Sequence, residues 1–323
     1  MDERFGCHTF STGSQKAKKD SEQMIVSEKI AVAAIAVAAN FAAGAAQSQQ
    51  PIGWGGIVDG LAVYQGKADL DDGGDFSASR AFLRTGIINR FADGSFAGLV
   101  LSYGQFSYDF GFPGNQPWED VRDIRISVPL RFALDGGASV LISPQLRWDY
   151  ERGVSASDGF TYGVFGGISW ALSPNLRIGP ALGVFSEIGI DDLEVFPAVL
   201  VDWTFAERWN LSTGSGLGAT QGPGVSLEYA VSDAVKVGMA VRSESIRFQL
   251  DDEGLAPDGI GEDSSIPVVL SLQYAPNPGV SFTAFAGAEL NGELKLENAA
   301  GREVSRQSYD TAPIAGVAFQ LRF

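Results

Sequence analysis

The sequence predicts an all-β protein, a transmembrane up-and-down antiparallel β-barrel of about fourteen strands behind a cleaved N-terminal signal peptide. Three observations predict it. Tight turns alternate with longer polar loops along the chain, the segments between them alternate apolar with polar residues, and aromatic side chains gather at the segment ends.

The front of the chain reads as a leader. Residues Ile30 to Ala39, "IAVAAIAVAA", form an apolar run too short to span a bilayer as a helix, with Lys29 before it and the small residues of "FAAGAAQS" after it. Cleavage is expected after Ala45 or Ala46. The polar stretch before Met24 fits no signal pattern, so Met24 is the expected start. Residues 1–46 are thus assigned to leader and signal, and residues 47–323 to one barrel domain. The leader holds five basic and five acidic residues, so the mature chain keeps 18 basic and 34 acidic groups and the net charge of −16. It carries no basic footprint for nucleic acid.

Six tight turns follow: "ADGS" (Ala92 to Ser95), "LDGG" (Leu134 to Gly137), "LSPN" (Leu172 to Asn175), "FAER" (Phe205 to Arg208), "VSDA" (Val231 to Ala234) and "APNPG" (Ala275 to Gly279). Between and around them lie seven longer polar segments. In order these are "KADLDDGGDFS", "GFPGNQPWED", "ERGVSASDG", "IGIDD", "GLGATQGPG", "DDEGLAPDGIGEDSS" and "NGELKLENAAGREVSRQSYD". Thirteen connections give fourteen strands, or twelve if the weak pair in "RWNLSTGSGLGATQGPGVSLEYA" is lost. The last loop, Asn291 to Asp310, is the longest and the candidate for folding inward as a plug.

Period-two alternation assigns the faces. In "DIRISVPLRF", Ile124, Ile126, Val128, Leu130 and Phe132 share one face, with Asp123, Arg125, Ser127 and Arg131 on the other. "LEVFPAVLVDW" groups Val195, Val199, Val201 and Trp203 opposite Glu194, Ala198 and Asp202. "SIPVVLSLQY" groups Ile266, Val268, Leu270, Leu272 and Tyr274. A β-sandwich would alternate in the same way with its apolar face turned to a core. The aromatics favour the barrel. Phe91, Phe132, Trp170, Trp203, Trp209, Tyr229, Tyr274 and Phe282 sit beside the tight turns, as an interfacial girdle requires. Phe106, Tyr108, Trp148, Tyr150, Phe160, Tyr162 and Phe248 mark the opposite ends as a second girdle. Ten residues separate Phe160 from Trp170, roughly 25 Å of membrane height for a tilted strand.

The chain ends in "PIAGVAFQLRF", with Val317, Phe319, Leu321 and Phe323 on one face. This ending resembles the C-terminal assembly signal of bacterial outer-membrane barrels. With the signal peptide and a mature chain free of cysteine, the region Trp54 to Phe323 resembles a porin-like domain-of-unknown-function family of Gram-negative outer-membrane barrels. The resemblance implies the cell outer membrane as the location. It implies outer-membrane lipid, lipopolysaccharide and the barrel-assembly machinery as partners, and carries over no functional residue.

Catalysis is not expected. His8 and Cys7 are the only histidine and cysteine, and both lie in the leader, which removes Ser-His-acid and Cys-His constellations. A Ser-Lys pair would have to use Lys67, Lys236 or Lys295, and Asp191 with Asp192 fits a loop tip better than a glycosidase site. "DLDDGGD" (Asp69 to Asp75) has oxygen ligands, yet Arg80 stands where an EF-hand needs its twelfth-position acid, so a solvated acidic loop is expected and no metal. "GSGLGATQGPG" lacks the strand-to-helix context of a nucleotide site. No cofactor is expected.

The inner face carries the functional expectation. Arg84, Arg125, Arg131 and Arg147 would point inward from strands two to five, and Glu187, Glu194, Asp202 and Glu228 from strands seven to ten, with Arg242 breaking the acidic side. Opposed rows would set up a transverse field across a pore; the alternative is ion pairs that stabilise a filled lumen. Fourteen strands leave room for an aqueous path. The expected function is a passive channel for small hydrophilic solutes, as a monomer or a trimeric homo-oligomer. The alternative is a closed barrel with a structural or surface-binding role through its acidic loops.

Overall fold

The computed structural model describes residues 52–323 except 112–115 and 216–222. The leader and signal assignment, residues 1–46, lies outside the described residues. Strand β1 (Gly53–Asp69) rises from the turn end, β2 (Asp75–Arg90) returns, and β3 (Phe96–Phe110) rises again. Their first tight turn shows why these residues turn: Asp93 Oδ1 accepts the Ser95 amide at 2.9 Å, and Gly94 supplies φ 87. Strand β4 is two collinear segments, Val121–Ser127 and Leu130–Ala133, broken at Pro129, which has no N–H for the ladder. Then come β5 (Ala138–Glu151), β6 (Phe160–Ser173), β7 (Leu176–Glu187) and β8 (Ile190–Ala206).

The weak pair exists. β9 (Trp209–Ser215) and β10 (Pro223–Ala230) pair from Trp209↔Tyr229 to Ser215↔Pro223, which settles the number at fourteen. β11 runs as Val235–Arg242 and Glu244–Gln249, and β12 (Ile260–Asn277) and β13 (Val280–Glu297) follow. β14 is Glu303–Tyr309 and Ala312–Arg322. Asn291 to Asp310 is therefore not a plug loop. Most of it is the extension of β13 and β14, paired from Gly292↔Tyr309 to Glu297↔Glu303.

Every strand pairs antiparallel with its sequence neighbour, and β14 closes on β1 from Ile57↔Arg322 to Gln65↔Ile314. Closure leaves no free sheet edge in the hydrocarbon, so each backbone group can be satisfied. At the seam two rings of the last strand lie on two glycines of the first. A Cβ at Gly60 or at Gly56 would fall inside the rings of Phe319 and Phe323. Phe323 is also held by backbone bonds in both directions with Gly56. The last strand is thus stitched to the first along this seam.

The outer face is apolar and exposed from strand to strand, including Leu83, Ile87, Leu99, Val195, Val199, Leu270, Leu272 and Val317. A continuous belt of this kind is lipid-facing. Phe91, Phe132, Trp170, Trp203, Trp209, Tyr274 and Phe282 are exposed at its turn end. No helix among the described residues is long and apolar enough to cross a membrane; the strands make the crossing. The protein is an outer-membrane β-barrel.

The two ends of the barrel differ in width. β12 and β13 have 18 residues each, whereas β7 has 12. Where β6 ends at Phe160, the free top edge of β5 is met by β11 instead, in a parallel pairing of Gln249 with Tyr150. Above that level the ring runs β11 to β14 and then β1 to β5. Fourteen strands become nine, close to the size whose interior side chains alone can fill.

That extracellular neck is filled. Phe76, Phe106, Phe110, Trp118, Val121, Ile246, Phe248, Leu294 and Leu296 form one buried cluster inside it. Trp118 stands edge-on to Phe248 at 5.1 Å and to Tyr108 at 5.5 Å. Each buried ring contributes about 1.5–3 kcal/mol of transfer free energy. The second girdle is correspondingly smaller than the sequence suggests. Phe160 and Tyr162 are exposed on the outer face, but Phe106 and Phe248 point inward and are fully buried, Tyr108 packs on the same core, and Tyr150 is covered where β11 meets β5. The parity of "LVLSYGQFSYDF" carries the signal: Leu99, Leu101 and Tyr103 are exposed, and Phe106 belongs to the alternate set.

Candidate functional site

The interior is the candidate site, and its charges come as pairs formed along or between adjacent strands. On β2, Arg84 donates through Nε to Asp59 of β1 at 2.8 Å, and Arg322 of β14 reaches the same carboxylate from the other side. On β4 and β5, Arg125 Nη2 and Arg147 Nη2 donate to Asp123 at 3.1 and 3.0 Å, and Arg147 Nε lies 2.6 Å from Asp149. Alternation explains the grouping: Asp123 and Arg125 are two residues apart, and Asp123↔Asp149 and Arg125↔Arg147 are register partners. Arg84, Arg125 and Arg147 are thereby paired with acids of their own or adjacent strands, whereas the charged neighbour of Arg131 is Arg177.

The remaining expected residues are spread over both ends. Arg131 is half-buried near the turn end, with Arg177 as its electrostatic neighbour, and Arg177 Nη1 donates to Ser139 Oγ at 3.1 Å. Asp202 accepts from Asn210 at 2.8 Å, and Glu228 pairs with Lys236 at 3.1 Å with both side chains about one-third exposed. Arg242 is buried and donates to Ser226 Oγ at 2.7 Å and to the Gly214 carbonyl. Glu187 and Glu194 share a hydrogen bond with one another, at the extracellular end of β7 and β8. The structure does not bring the nine into one constellation.

One network has no counterpart in the sequence reading. Arg80, 2% exposed as a side chain, donates to Glu289 Oε1 at 2.6 Å, to Gln65 Oε1 at 2.7 Å and to Asp263 Oδ2 at 3.1 Å. Tyr108 Oη donates to Asp263 at 2.9 Å, and Tyr309 Oη reaches both carboxylates at 3.3 and 3.4 Å. The network ties β1, β2, β3, β12, β13 and β14 together beneath the aromatic core. Its only sequence signal is parity, since Arg80 shares a face with Phe82 and Arg84 in "SRAFLR".

A second cluster lies on the opposite face of the same ribbon. Arg247, Glu262, Lys295 and Arg306 are successive register partners across β11 to β14. Arg247 Nη1 donates to Glu262 at 3.1 Å and Nη2 to Glu297, while Lys295 pairs with both of those acids. Arg306, farther out, hydrogen-bonds Glu303 and holds its carboxyl below the ordinary carboxylate range. Among the described residues no group of histidine, cysteine and carboxylate side chains could hold a metal ion.

No protein-family model matches the chain, and no curated protein matches it. Solved structures do. The COG4313 outer membrane channel from Pseudomonas putida F1 is 10% identical with a TM-score of 0.47, over 87% of this chain and 99% of that one. The P. putida toluene transporter TodX is 12% identical with a TM-score of 0.42, over 86% and 92%. A Pseudomonas aeruginosa FadL homologue is 12% identical with a TM-score of 0.41, over 83% and 89%. The barrel assignment stands on the closed strand ladder itself.

Proposed function

We propose that this barrel is a passive outer-membrane channel for small hydrophilic solutes, shut at its extracellular neck in the conformation described. The observation that carries the reading is the change of width. The fourteen-strand half exceeds the width that side chains alone usually fill; it holds only smaller buried clusters, such as Ile57, Ile88, Phe96 and Val100, and keeps charged groups such as Glu228 and Lys236 in reach of water, while the nine-strand half is packed with aromatic rings. Arg84, Arg125, Arg131, Arg147, Glu187, Glu194, Asp202, Glu228 and Arg242 are then the polar lining, with Arg84, Arg125, Arg147 and Glu228 in ion pairs that present dipoles to a solute. Val317, Phe319, Leu321 and Phe323 serve as the assembly signal, and lipopolysaccharide covers the outer leaflet side.

Refolded protein in a planar bilayer with potassium chloride on both sides is expected to show infrequent stepwise currents. Records without a single step, from protein whose gel mobility shifts on heating as a folded barrel's does, would overturn the channel. The filled neck specifically favours a second reading, a permanently closed barrel that acts through its acidic loops.

A further inference from the structure

The neck and the wider wall do not merge smoothly, and at their junction a turn of the wall reaches across to the neck. The β7–β8 turn, Ile188 and Gly189, leans on the outer face of the neck ribbon. Arg247 Nε donates to the Ile188 carbonyl at 2.8 Å, and Gly189 packs so closely on Ile260 that a Cβ there would overlap its Cδ1. Below the turn, Glu187, Glu194, Phe185 and Phe196 lie on one face of the β7–β8 wall, because Phe185↔Glu194 and Gly183↔Phe196 are register partners. Glu187 also feels Arg247 and Glu262 electrostatically, so this wall faces the ribbon's outer side. Among the described residues, β8 pairs in register with β9 only between Asp202 and Ala206; above that level Thr213 of β9 accepts from the Val201 amide and donates to the Val199 carbonyl, and β7 carries the rest of the pairing.

Resting on the channel reading above, we infer that solute passes the extracellular end along this seam, between the neck ribbon and the β7–β8 wall, and that Arg247 is the positioning residue that holds the seam shut. The neck itself would have to expel a core of packed rings to conduct. The seam needs the release of a turn and the parting of the smaller cluster that buries Phe185 and Phe196. Arg247 suits the part because one guanidinium binds the turn through Nε and its own ribbon through Nη1 and Nη2. A lysine could not bridge both with fixed geometry. Loss of that single bond to Ile188 leaves the ribbon intact, since Lys295 still pairs with Glu262 and Glu297.

The test compares single-channel records in potassium chloride for the refolded full chain and three variants, Arg247→Met, Lys295→Met and Trp118→Ala, each first shown to be heat-modifiable on gels. Arg247→Met is expected to raise open probability about tenfold, because of the three hydrogen bonds it removes only the one to Ile188 crosses the seam and distinguishes shut from open. Lys295→Met, which removes a charge from the same cluster but no bond to the turn, and Trp118→Ala are expected to stay near wild type. A rise in Trp118→Ala without one in Arg247→Met would place the path in the neck and overturn the inference while leaving the channel standing. Equal rises in Arg247→Met and Lys295→Met would reduce Arg247 to ribbon stability and overturn it too. Silence from all four proteins would instead overturn the channel reading on which it rests.

Discussion

Replacing Arg80 by methionine is expected to destabilise the folded barrel by about 3–5 kcal/mol, the loss typical when one partner of a buried ion network is removed. The arginine sits between two carboxylates, and all three side chains are at most 4% exposed. Without it, Glu289 and Asp263 would remain buried with Tyr108 and Tyr309 as donors and no countercharge. Methionine fills much of the volume, so the loss reports charge rather than a cavity. Guanidinium unfolding in detergent, followed by the heat-dependent gel shift, measures it. Glu289→Gln should lose less, because the amide keeps an acceptor for Arg80. The double variant Arg80→Met with Glu289→Met should recover part of the deficit, which a double-mutant cycle reads directly. An Arg80→Met protein with the wild-type midpoint would show that the network contributes nothing net.

Gly60→Val should prevent efficient closure of the barrel. The added Cβ would lie inside the ring of Phe319, and β1 and β14 are register partners at that very position. The ring cannot simply turn away, since lipid-facing Val317 and Leu321 flank it on the same face of β14. Overpacking of this kind costs about 1–3 kcal/mol at equilibrium, but here it acts on the last pairing made during assembly. Membrane levels should therefore fall several-fold in cells while refolding in detergent is only slowed. Deleting Phe323 removes the second ring, over Gly56, and the two backbone bonds to it. It should lower outer-membrane levels similarly and leave single-channel conductance of the surviving protein unchanged. Wild-type levels for both variants would remove the seam and the terminal signal from the account.

The features legible in the sequence were those encoded locally. Six tight turns stand where Asp93, Gly94, Gly136 and their counterparts sit, because turn chemistry is a property of three or four consecutive residues. The exposed set Val195, Val199 and Trp203 opposite buried Phe196 follows from period two. The site was less legible. Arg125 and Asp123 could be placed on one face, but whether they paired or stood as a bare row depended on Arg147 and Asp149 arriving in register from the next strand. Arg80 could be assigned a face and nothing more, as Asp263 and Glu289 lie 183 and 209 residues away.

By itself, then, the sequence determined a transmembrane barrel of twelve or fourteen strands, the face most residues take, and which strand closes the ring. Each of those follows from spacing along the chain, and closure follows from counting. Tertiary structure alone decided that the ring narrows from fourteen strands to nine. The narrowing depends on where β6 to β10 stop relative to β5 and β11, and on the meeting of Gln249 with Tyr150 across about a hundred residues of chain. Strand periodicity carries no information on how far one strand outruns another. For the same reason "PIAGVAFQLRF" announced a strand with one apolar face, while the glycines that seat its rings became visible only when β14 was laid beside β1.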